Sequence, residues 1–534
     1  MKSTSFLFKT LAASIVLHLL VHAQTQVQLS RFVGSFEYRS LRTEGTLESR
    51  ESELAADSGS IVVAENRNNP SARGIRIPIV RILSPDTTAT VPVFWLSGGP
   101  GQSNLHSFAY DYFLSRHDHV MVGYRGVDGE VSLDCPEVVE FLERSGDILS
   151  EDATVGLGNA FGECAGRLMS SGIDLSGYTP VEVADDIEDA RKALGYETID
   201  IISESYGTRV AYLYALRYPE RIHRLIMIGG NPPGGMVWDS YQYDSLLTRY
   251  GELWKQDSDA GARHPDLVAA FRAVNREFPK RWLIFPIREG TVKASVNAFL
   301  FHRETAAQAF DAYTAAANGD ASGLWLFSFI GGRIFPDIVN WGDNAAKATS
   351  LDFDSTRDYV HELTPPNAVF GAPLGAFLWS PAQSGKWPVS LVDAPMRTLQ
   401  RCTVSTLFLS GSLDFSTPAE NVERHFVPNF PNGHHIVFSE AGHVLDLWRS
   451  QPAATHRLLT AFLENGDIDT SLVRYTPVSF EVSWGFPVLA KLLVGGIVVV
   501  VFGVGWGGWK IFAGIRRRRR AEQEAGRQEL EFRS

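Results

Sequence analysis

The stretch TIDIISESYGTRVAYLYALRY, residues 198–218, decides the fold of this chain. Residues 198–202 are β-rich, and residues 208–218 have the spacing of a helix. The motif Ser203-Glu-Ser205-Tyr-Gly207 lies between them. A nucleophile on such a tight turn projects its hydroxyl above a sheet, and the turn needs small residues two positions before and after it. The motif therefore predicts Ser205 as a nucleophile. Ser203 is the weaker alternative, because it would lie within the strand.

Short β-rich runs alternate with helical stretches on both sides of this turn. The predicted strands are 60–63, 75–82, 91–96, 120–122, 198–202, 222–228, 403–409 and 434–438, and predicted helices include 180–194, 208–218 and 450–464. This alternation predicts a mainly parallel sheet with helices on both faces. Helical segments rich in Trp, Phe and Ala fill residues 236–398. We therefore expect a helical lid inserted between two parts of a core, residues 24–235 and 399–465.

A serine nucleophile needs a base, and the base needs an acid that orients it. Asp414 follows a predicted strand in GSLDFSTP, and His443 follows the next strand in EAGH. The order Ser, Asp, His is the order in which this kind of sheet supplies the three groups. The sequence therefore predicts Asp414 as the acid and His443 as the base.

A glycine loop, GGPG at residues 98–101, follows an early predicted strand. Backbone N–H groups in such a loop can stabilise the oxyanion that forms during acyl transfer, together with the N–H after the nucleophile. We expect Gly98, Gly99 and Tyr206 to supply these groups.

Both ends of the chain resemble export and anchoring segments. Residues 1–23 combine basic residues with a short apolar run, which predicts a secretory signal peptide. Residues 492–509 carry no charge and precede five consecutive arginines at 516–520. They predict a linker over 466–485, a transmembrane helix over 486–513 and a basic cytoplasmic tail over 514–534. The core would then lie outside the cytoplasm, in the periplasm or at the cell surface. Three glycines on one face of the predicted helix suggest weak homo-association: Gly496, Gly503 and Gly507.

The composition excludes some classes of protein. The formal net charge of −12 argues against nucleic-acid binding. The sequence shows no zinc-type motif, and the predicted chemistry needs neither a metal nor an organic cofactor. The three cysteines, Cys135, Cys164 and Cys402, predict one disulfide and one thiol, with all three pairings open.

Several of these motifs together resemble the proline iminopeptidase family, and in particular its exported, tripeptidyl-aminopeptidase-like branch. They are the GGPG loop, Arg125-Gly126, Ser-Tyr-Gly, Leu-Asp-x-x-Thr-Pro and Gly-His, with GSIVVAENR at 59–67 and SLDCP at 132–136. The resemblance implies an α/β-hydrolase fold, hydrolysis of peptides or related acyl compounds, and a Cys135–Cys164 disulfide. Two family positions differ, because Gly123 replaces an acid and Ser97 replaces a histidine before the Gly-Gly pair.

The resulting hypothesis is a membrane-anchored serine aminopeptidase outside the cytoplasm, which releases residues or short peptides through an acyl-enzyme on Ser205. An esterase or lipase with the same triad is the first alternative, and a non-catalytic binding protein with the same fold is the second. An epoxide hydrolase or dehalogenase is disfavoured, because those enzymes need a carboxylate at the elbow. An aminopeptidase also needs carboxylates for the substrate ammonium group. The candidates are Glu252, Glu304, Asp311, Asp358 and Glu204.

Overall fold

The computed structural model describes residues 39–43, 54–86, 91–105 and 116–531. The predicted signal peptide at 1–23 lies outside these residues. Within them, one nine-stranded sheet has the order β1-β2-β3-β5-β4-β6-β7-β10-β11. Its strands are β1 Arg39–Thr43, β2 Leu54–Ala64, β3 Gly74–Ile82, β4 Val93–Leu96, β5 His119–Val122, β6 Ile199–Glu204, β7 Ile222–Ile228, β10 Thr406–Gly411 and β11 Gly433–Phe438.

The sheet is antiparallel at one edge and parallel over the rest. The pairs β1–β2, β2–β3 and β3–β5 are antiparallel, whereas β5, β4, β6, β7, β10 and β11 run parallel to one another. Every residue of β4 and β6 is buried, as expected for central parallel strands that are covered on both faces. The loops that follow these parallel strands therefore meet at one edge of the sheet, where ligands bind in open α/β sheets.

Helices cover both faces of the sheet. In the described residues outside the insertion and before residue 466, the helices are α1 Pro136–Arg144, α2 Glu151–Ser170, α3 Pro180–Ala193, α4 Tyr206–Arg217, α15 Ala419–Asn421, α16 Leu445–Ser450 and α17 Pro452–Asn465. Apolar residues of α17 such as Leu458 and Phe462 pack with Trp95, Ile202 and Leu407 of the sheet. This alternation of strands and helices confirms the predicted α/β class.

The chain between β7 and β10 is helical apart from a short hairpin of β8 Arg281–Trp282 and β9 Phe285–Pro286. Its helices are α5 Ser240–Gln256, α6 Ser258–Arg263, α7 Leu267–Arg276, α8 Glu289–Phe299, α9 Arg303–Ala317, α10 Ser322–Ile334, α11 Trp341–Asp352, α12 Tyr359–Leu363, α13 Pro373–Gln383 and α14 Ala394–Arg397. We call residues 240–397 the insertion. Most residues of one buried hydrophobic cluster belong to it, and in that cluster the rings of Phe271 and Tyr313 stack with centroids 3.9 Å apart.

One disulfide links Cys135, directly before α1, to Cys164 in α2, with the two Cα atoms 5.3 Å apart. It confirms the pairing that the family resemblance implied. Cys402 is a free, buried thiol. A structural disulfide is compatible with an extracellular location.

The C-terminal segment corrects the sequence analysis. Residues 486–513 belong to a longer helix, α18 Phe486–Glu531, which continues through the arginines. Its first turns pack on the insertion: the ring of Phe486 lies 4.5 Å from that of Phe327, and Lys491 pairs with Asp320 at 2.6 Å. The apolar start of the segment is therefore packing surface within the protein.

The prediction of a transmembrane helix over 486–513 is wrong on this evidence. Among the residues that the structure describes, no helix combines the length and the apolar character needed to cross a bilayer. The single-pass topology with a cytoplasmic C-terminus depended on that helix and is withdrawn with it. Gly503 and Gly507 lie in a part of α18 whose packing is not described, so association through the three glycines stays a prediction.

Candidate active site

Ser205 lies on a strained turn between β6 and α4. Its backbone has φ 49° and ψ −119°, a region that non-glycine residues rarely occupy. Its N–H donates to the carbonyl of Ile228 at the end of β7, at 2.9 Å. The predicted need for small neighbours is explained by the packing, because a Cβ on Gly207 would lie 2.2 Å from the carbonyl oxygen of Leu96. The neighbouring strand thus requires glycine two positions after Ser205.

The structure separates the two serines of the motif. Ser203 is fully buried within β6, and its hydroxyl donates to the carbonyl of Ile226 at 2.9 Å. Ser205 is partly exposed and lies outside the strand. Ser203 is therefore a sheet residue, and only Ser205 has the setting expected of a nucleophile.

Asp414 and His443 come together as the sequence predicts. Nδ1 of His443 lies 2.8 Å from Oδ2 of Asp414. The acid follows β10 and is held by the backbone N–H groups of Ser416 and Thr417, both at 2.8 Å, and by the Thr417 hydroxyl at 2.9 Å. Three donors and the imidazole therefore fix the orientation of this buried carboxylate.

The pKa values of this pair favour an ion-pair-like contact. Burial would raise the pKa of Asp414, but the charge and hydrogen bond of His443, with the Thr417 donors, hold it below its ordinary value. Burial would lower the pKa of His443, but the charge and hydrogen bond of Asp414 raise it above its ordinary value. Glu204 and Asp446 add smaller upward contributions to the pKa of His443.

Ser205 and His443 approach the same end of β7. Ile228 accepts the hydrogen bond from Ser205, and a Cβ on the next residue, Gly229, would lie 3.3 Å from Cε1 of His443. Gly229 has φ 65°, so glycine meets both the conformation and the space available there. The elbow, the acid and the base therefore gather at one edge of the sheet.

The glycine loop packs directly on the elbow. A Cβ on Gly98 would lie 2.8 Å from Cβ of Ser205. In the described part of the chain, no hydrogen bond occupies the backbone N–H groups of Gly98, Gly99 or Tyr206. The arrangement leaves them available to an oxyanion, which is the role that the sequence predicts for them.

Sequence reasoning missed two features of the site. The first is Thr417, whose hydroxyl supports Asp414 and also lies 3.2 Å from Nδ1 of His443. Thr417 is the threonine of the Leu-Asp-x-x-Thr-Pro motif, so the motif could have indicated this role. The second is the environment of Glu204, which was only a candidate for ammonium binding. It is buried, and its Oε1 accepts from Nε1 of Trp448 at 2.7 Å.

The other candidate carboxylates do not contact the site. Glu252 pairs with Lys255, Asp311 pairs with Arg263, Asp358 caps α12, and Glu304 is exposed. Glu252, Asp311 and Asp358 therefore have partners away from the triad, and Glu304 is a surface residue. Within the described chain, no group of three His, Cys, Asp or Glu side chains is placed to hold a metal.

Comparisons with known proteins agree with the α/β-hydrolase fold. The family model described as "alpha/beta hydrolase fold" matches residues 92–273, and the one described as "TAP-like protein" matches residues 374–473. The chain is an α/β-hydrolase. The second match and the relatives below place it in the TAP-like branch, as the motifs indicated.

Two curated relatives are tripeptidyl aminopeptidases, from Streptomyces lividans and Streptomyces coelicolor (strain ATCC BAA-471 / A3(2) / M145). Each is 24% identical to this chain over 242 residues, which cover 42% of this chain and 44% of the relative. The chain thus spans less than half the length of these relatives. Among solved structures, a serine hydrolase from Cycloclasticus zankles is 12% identical with a TM-score of 0.35, and the match covers 77% of this chain and 100% of that structure.

Proposed function

We propose that this α/β-hydrolase is a serine hydrolase in which Ser205, His443 and Asp414 form a catalytic triad. The observation that supports the proposal most is the 2.8 Å contact of Asp414 with His443 beside a partly exposed serine on a strained elbow. Structural serines rarely occupy such backbone conformations, whereas nucleophiles on this fold do.

The proposed reaction has an acylation step and a hydrolysis step. Nε2 of His443 takes the hydroxyl proton as Oγ of Ser205 attacks the carbonyl carbon, and the oxyanion accepts hydrogen bonds from backbone N–H groups of Gly98, Gly99 and Tyr206. His443 then gives this proton to the leaving amine or alcohol as the scissile bond breaks. Water, deprotonated by the same imidazole, then attacks the ester on Ser205, and His443 returns that proton to Oγ of Ser205 as the ester bond breaks and the acid leaves.

The proposed substrates are peptides with a free N-terminus, from which the enzyme releases single residues or short peptides. The names of the two Streptomyces relatives support this class. An apolar ester is the second candidate, because an aromatic ring lies beside the base. The ring of Phe301 lies 5.9 Å from that of His443 and 5.6 Å from that of Trp238. An acyl chain could pack against these apolar rings.

A fluorophosphonate probe tests the chemistry. The wild-type protein and a Ser203→Ala variant should label, while Ser205→Ala should not. Ser203→Ala is the matched control, because it removes a hydroxyl two residues away that the sheet already uses. Absence of labelling in the folded wild-type protein, or labelling that survives Ser205→Ala, would refute the triad.

A substrate panel tests the class. We expect tripeptidyl amides of a chromogenic amine with a free N-terminus to turn over faster than the same compounds with an acetylated N-terminus. Equal or faster turnover of N-blocked esters, with no cleavage of the free-amine amides, would replace the aminopeptidase with an esterase.

A further inference from the structure

The insertion makes direct contact with the glycine loop through the start of α11. The N–H of Asn340 donates to the carbonyl of Gly101 at 2.8 Å, and the side-chain amide of Asn344 donates to the carbonyl of Pro100 at 3.1 Å. In the opposite direction, the N–H of Gly101 donates to Oδ2 of Asp343 at 3.0 Å. Two neighbouring loop residues are therefore held by three hydrogen bonds from one helix end.

The acid in this contact belongs to a deeply buried ion pair. Nζ of Lys347 lies 2.7 Å from Oδ2 of Asp343, and both side chains have no exposed surface. Burying two charges is costly unless they pair and gain further hydrogen bonds. Here Lys347 also donates to the carbonyl of Arg125 at 3.3 Å, while Asp343 accepts from Gly101. The pair is therefore tied to two loops of the sheet domain.

Lys347 also reaches the other half of the oxyanion site. Its Nζ lies 4.9 Å from the ring centroid of Tyr124 and 6.0 Å from that of Tyr206, and these two rings meet edge to face. Tyr206 directly follows the nucleophile. One i,i+4 pair thus contacts both segments that are proposed to stabilise the oxyanion.

A second segment of the insertion holds the base in a similar manner. The N–H of His443 donates to the carbonyl of Phe301 at 2.6 Å. Oδ2 of Asp446 accepts from the N–H groups of Arg303 and Gly442, at 2.9 and 2.8 Å. The insertion therefore contacts the glycine loop and the histidine loop through backbone hydrogen bonds at separate places.

We propose that Asp343, held by Lys347, is a positioning residue that sets the glycine loop for oxyanion stabilisation, so that the insertion is a fixed part of the catalytic site. This inference rests on the proposed hydrolase function and goes beyond it. Asp343 touches neither Ser205 nor His443, and it acts through the backbone of Gly101. Loss of one oxyanion donor costs about 10²–10³-fold in rate, and misplacement by about 1 Å costs about 10²-fold.

The test compares Asp343→Asn, Asn344→Ala and the control Glu289→Gln. Glu289 forms the same i,i+4 pair with a lysine, Lys293, on another helix of the insertion, but that pair is partly exposed and touches no catalytic loop. We expect Asp343→Asn to lower kcat about 10- to 100-fold with KM changed less than threefold. Asn344→Ala should lower kcat several-fold, and Glu289→Gln should leave it unchanged.

The second measurement is the affinity for a peptidyl trifluoromethyl ketone, whose adduct carries an oxyanion. A merely structural role of Asp343 would leave this affinity unchanged. The ketone affinity should fall in proportion to kcat across the variants, while thermal unfolding shows that they remain folded. If Asp343→Asn does not fold with Lys347 left unpaired, Asp343→Asn/Lys347→Met and Asn344→Ala carry the test. Wild-type kcat and ketone affinity in a folded Asp343→Asn or Asp343→Asn/Lys347→Met variant would overturn the proposal. Failure of the wild-type protein to label with fluorophosphonate would instead refute the hydrolase itself.

Discussion

Replacing Glu204 by glutamine should stabilise the protein in a manner that depends on pH. Glu204 precedes the nucleophile, is buried, and accepts a hydrogen bond from Nε1 of Trp448. Burial raises its pKa from the ordinary 4.5 to about 7, although the Trp448 hydrogen bond and the charge of His443 act in the opposite direction. The folded protein therefore holds a carboxyl group that resists ionisation.

The sign of the effect follows from linkage. Because the pKa of Glu204 is raised in the folded state, the contribution of its protonated form to the free energy of unfolding is fully present below the unfolded pKa of 4.5. This contribution is lost as the pH rises towards about 7. The two values differ by about 2.5, and each pKa unit corresponds to about 1.4 kcal/mol, so ionised Glu204 costs about 3 kcal/mol above pH 7. Glutamine has the same shape, keeps the acceptor for Trp448 and never ionises.

We therefore expect Glu204→Gln to exceed the wild type in free energy of unfolding by about 3 kcal/mol at pH 8 and by close to zero at pH 4. Urea unfolding at the two pH values measures the difference, and Glu252→Gln, at an exposed site paired with Lys255, is the control. The same stability difference at both pH values would refute the reasoning. In activity, loss of the Glu204 charge should lower the apparent pKa of His443 in the pH profile of kcat/KM, because that charge raises it.

Three further perturbations have defined outcomes. Thr417→Val removes the hydroxyl that supports the catalytic acid, and should lower kcat about tenfold with KM unchanged in steady-state kinetics, since a hydrogen bond to a charged group contributes about 1.5–3 kcal/mol; an unchanged kcat would contradict this role. Gly207→Ala places a Cβ 2.2 Å from a β4 carbonyl and should abolish fluorophosphonate labelling, whereas Gly166→Ala, where nothing lies within 4 Å, should label normally. Replacing Cys135 and Cys164 together by serine should lower the free energy of unfolding by about 3–4 kcal/mol in urea titrations, and an unchanged midpoint would show that the bridge does not stabilise the fold.

Local pattern was enough to predict much of this protein. The strand, turn and helix around Ser205 could be read from residue types, because an elbow imposes its size limits on immediate chain neighbours. Asp414 and His443 could be placed because parallel strands deliver the loops that follow them to one edge of a sheet. The triad itself remains a proposal, but the contact between its acid and base follows from that topology.

The sequence analysis failed where packing decides what a segment does. The uncharged run at 492–509 suggested a spanning helix, but the sequence does not show that Phe486 packs against the insertion and that the helix runs on to Glu531. The sequence could not separate the candidate acids for ammonium binding from one another for a related reason, since charge on a helix surface is common and does not reveal its neighbours. The buried contact of Asp343 with Lys347 was missed, because acid–lysine pairs with i,i+4 spacing are also common on exposed helix surfaces.

The sequence by itself determined the fold class, the elbow and the order of the three groups, because these depend on short-range pattern and strand order. Only the tertiary structure decided which carboxylates lie buried beside the site. It brought Glu204 against Trp448, and Asp343 against a loop 242 positions away. Burial and contact between distant segments control pKa values and loop positions, and they exist only once the chain has folded.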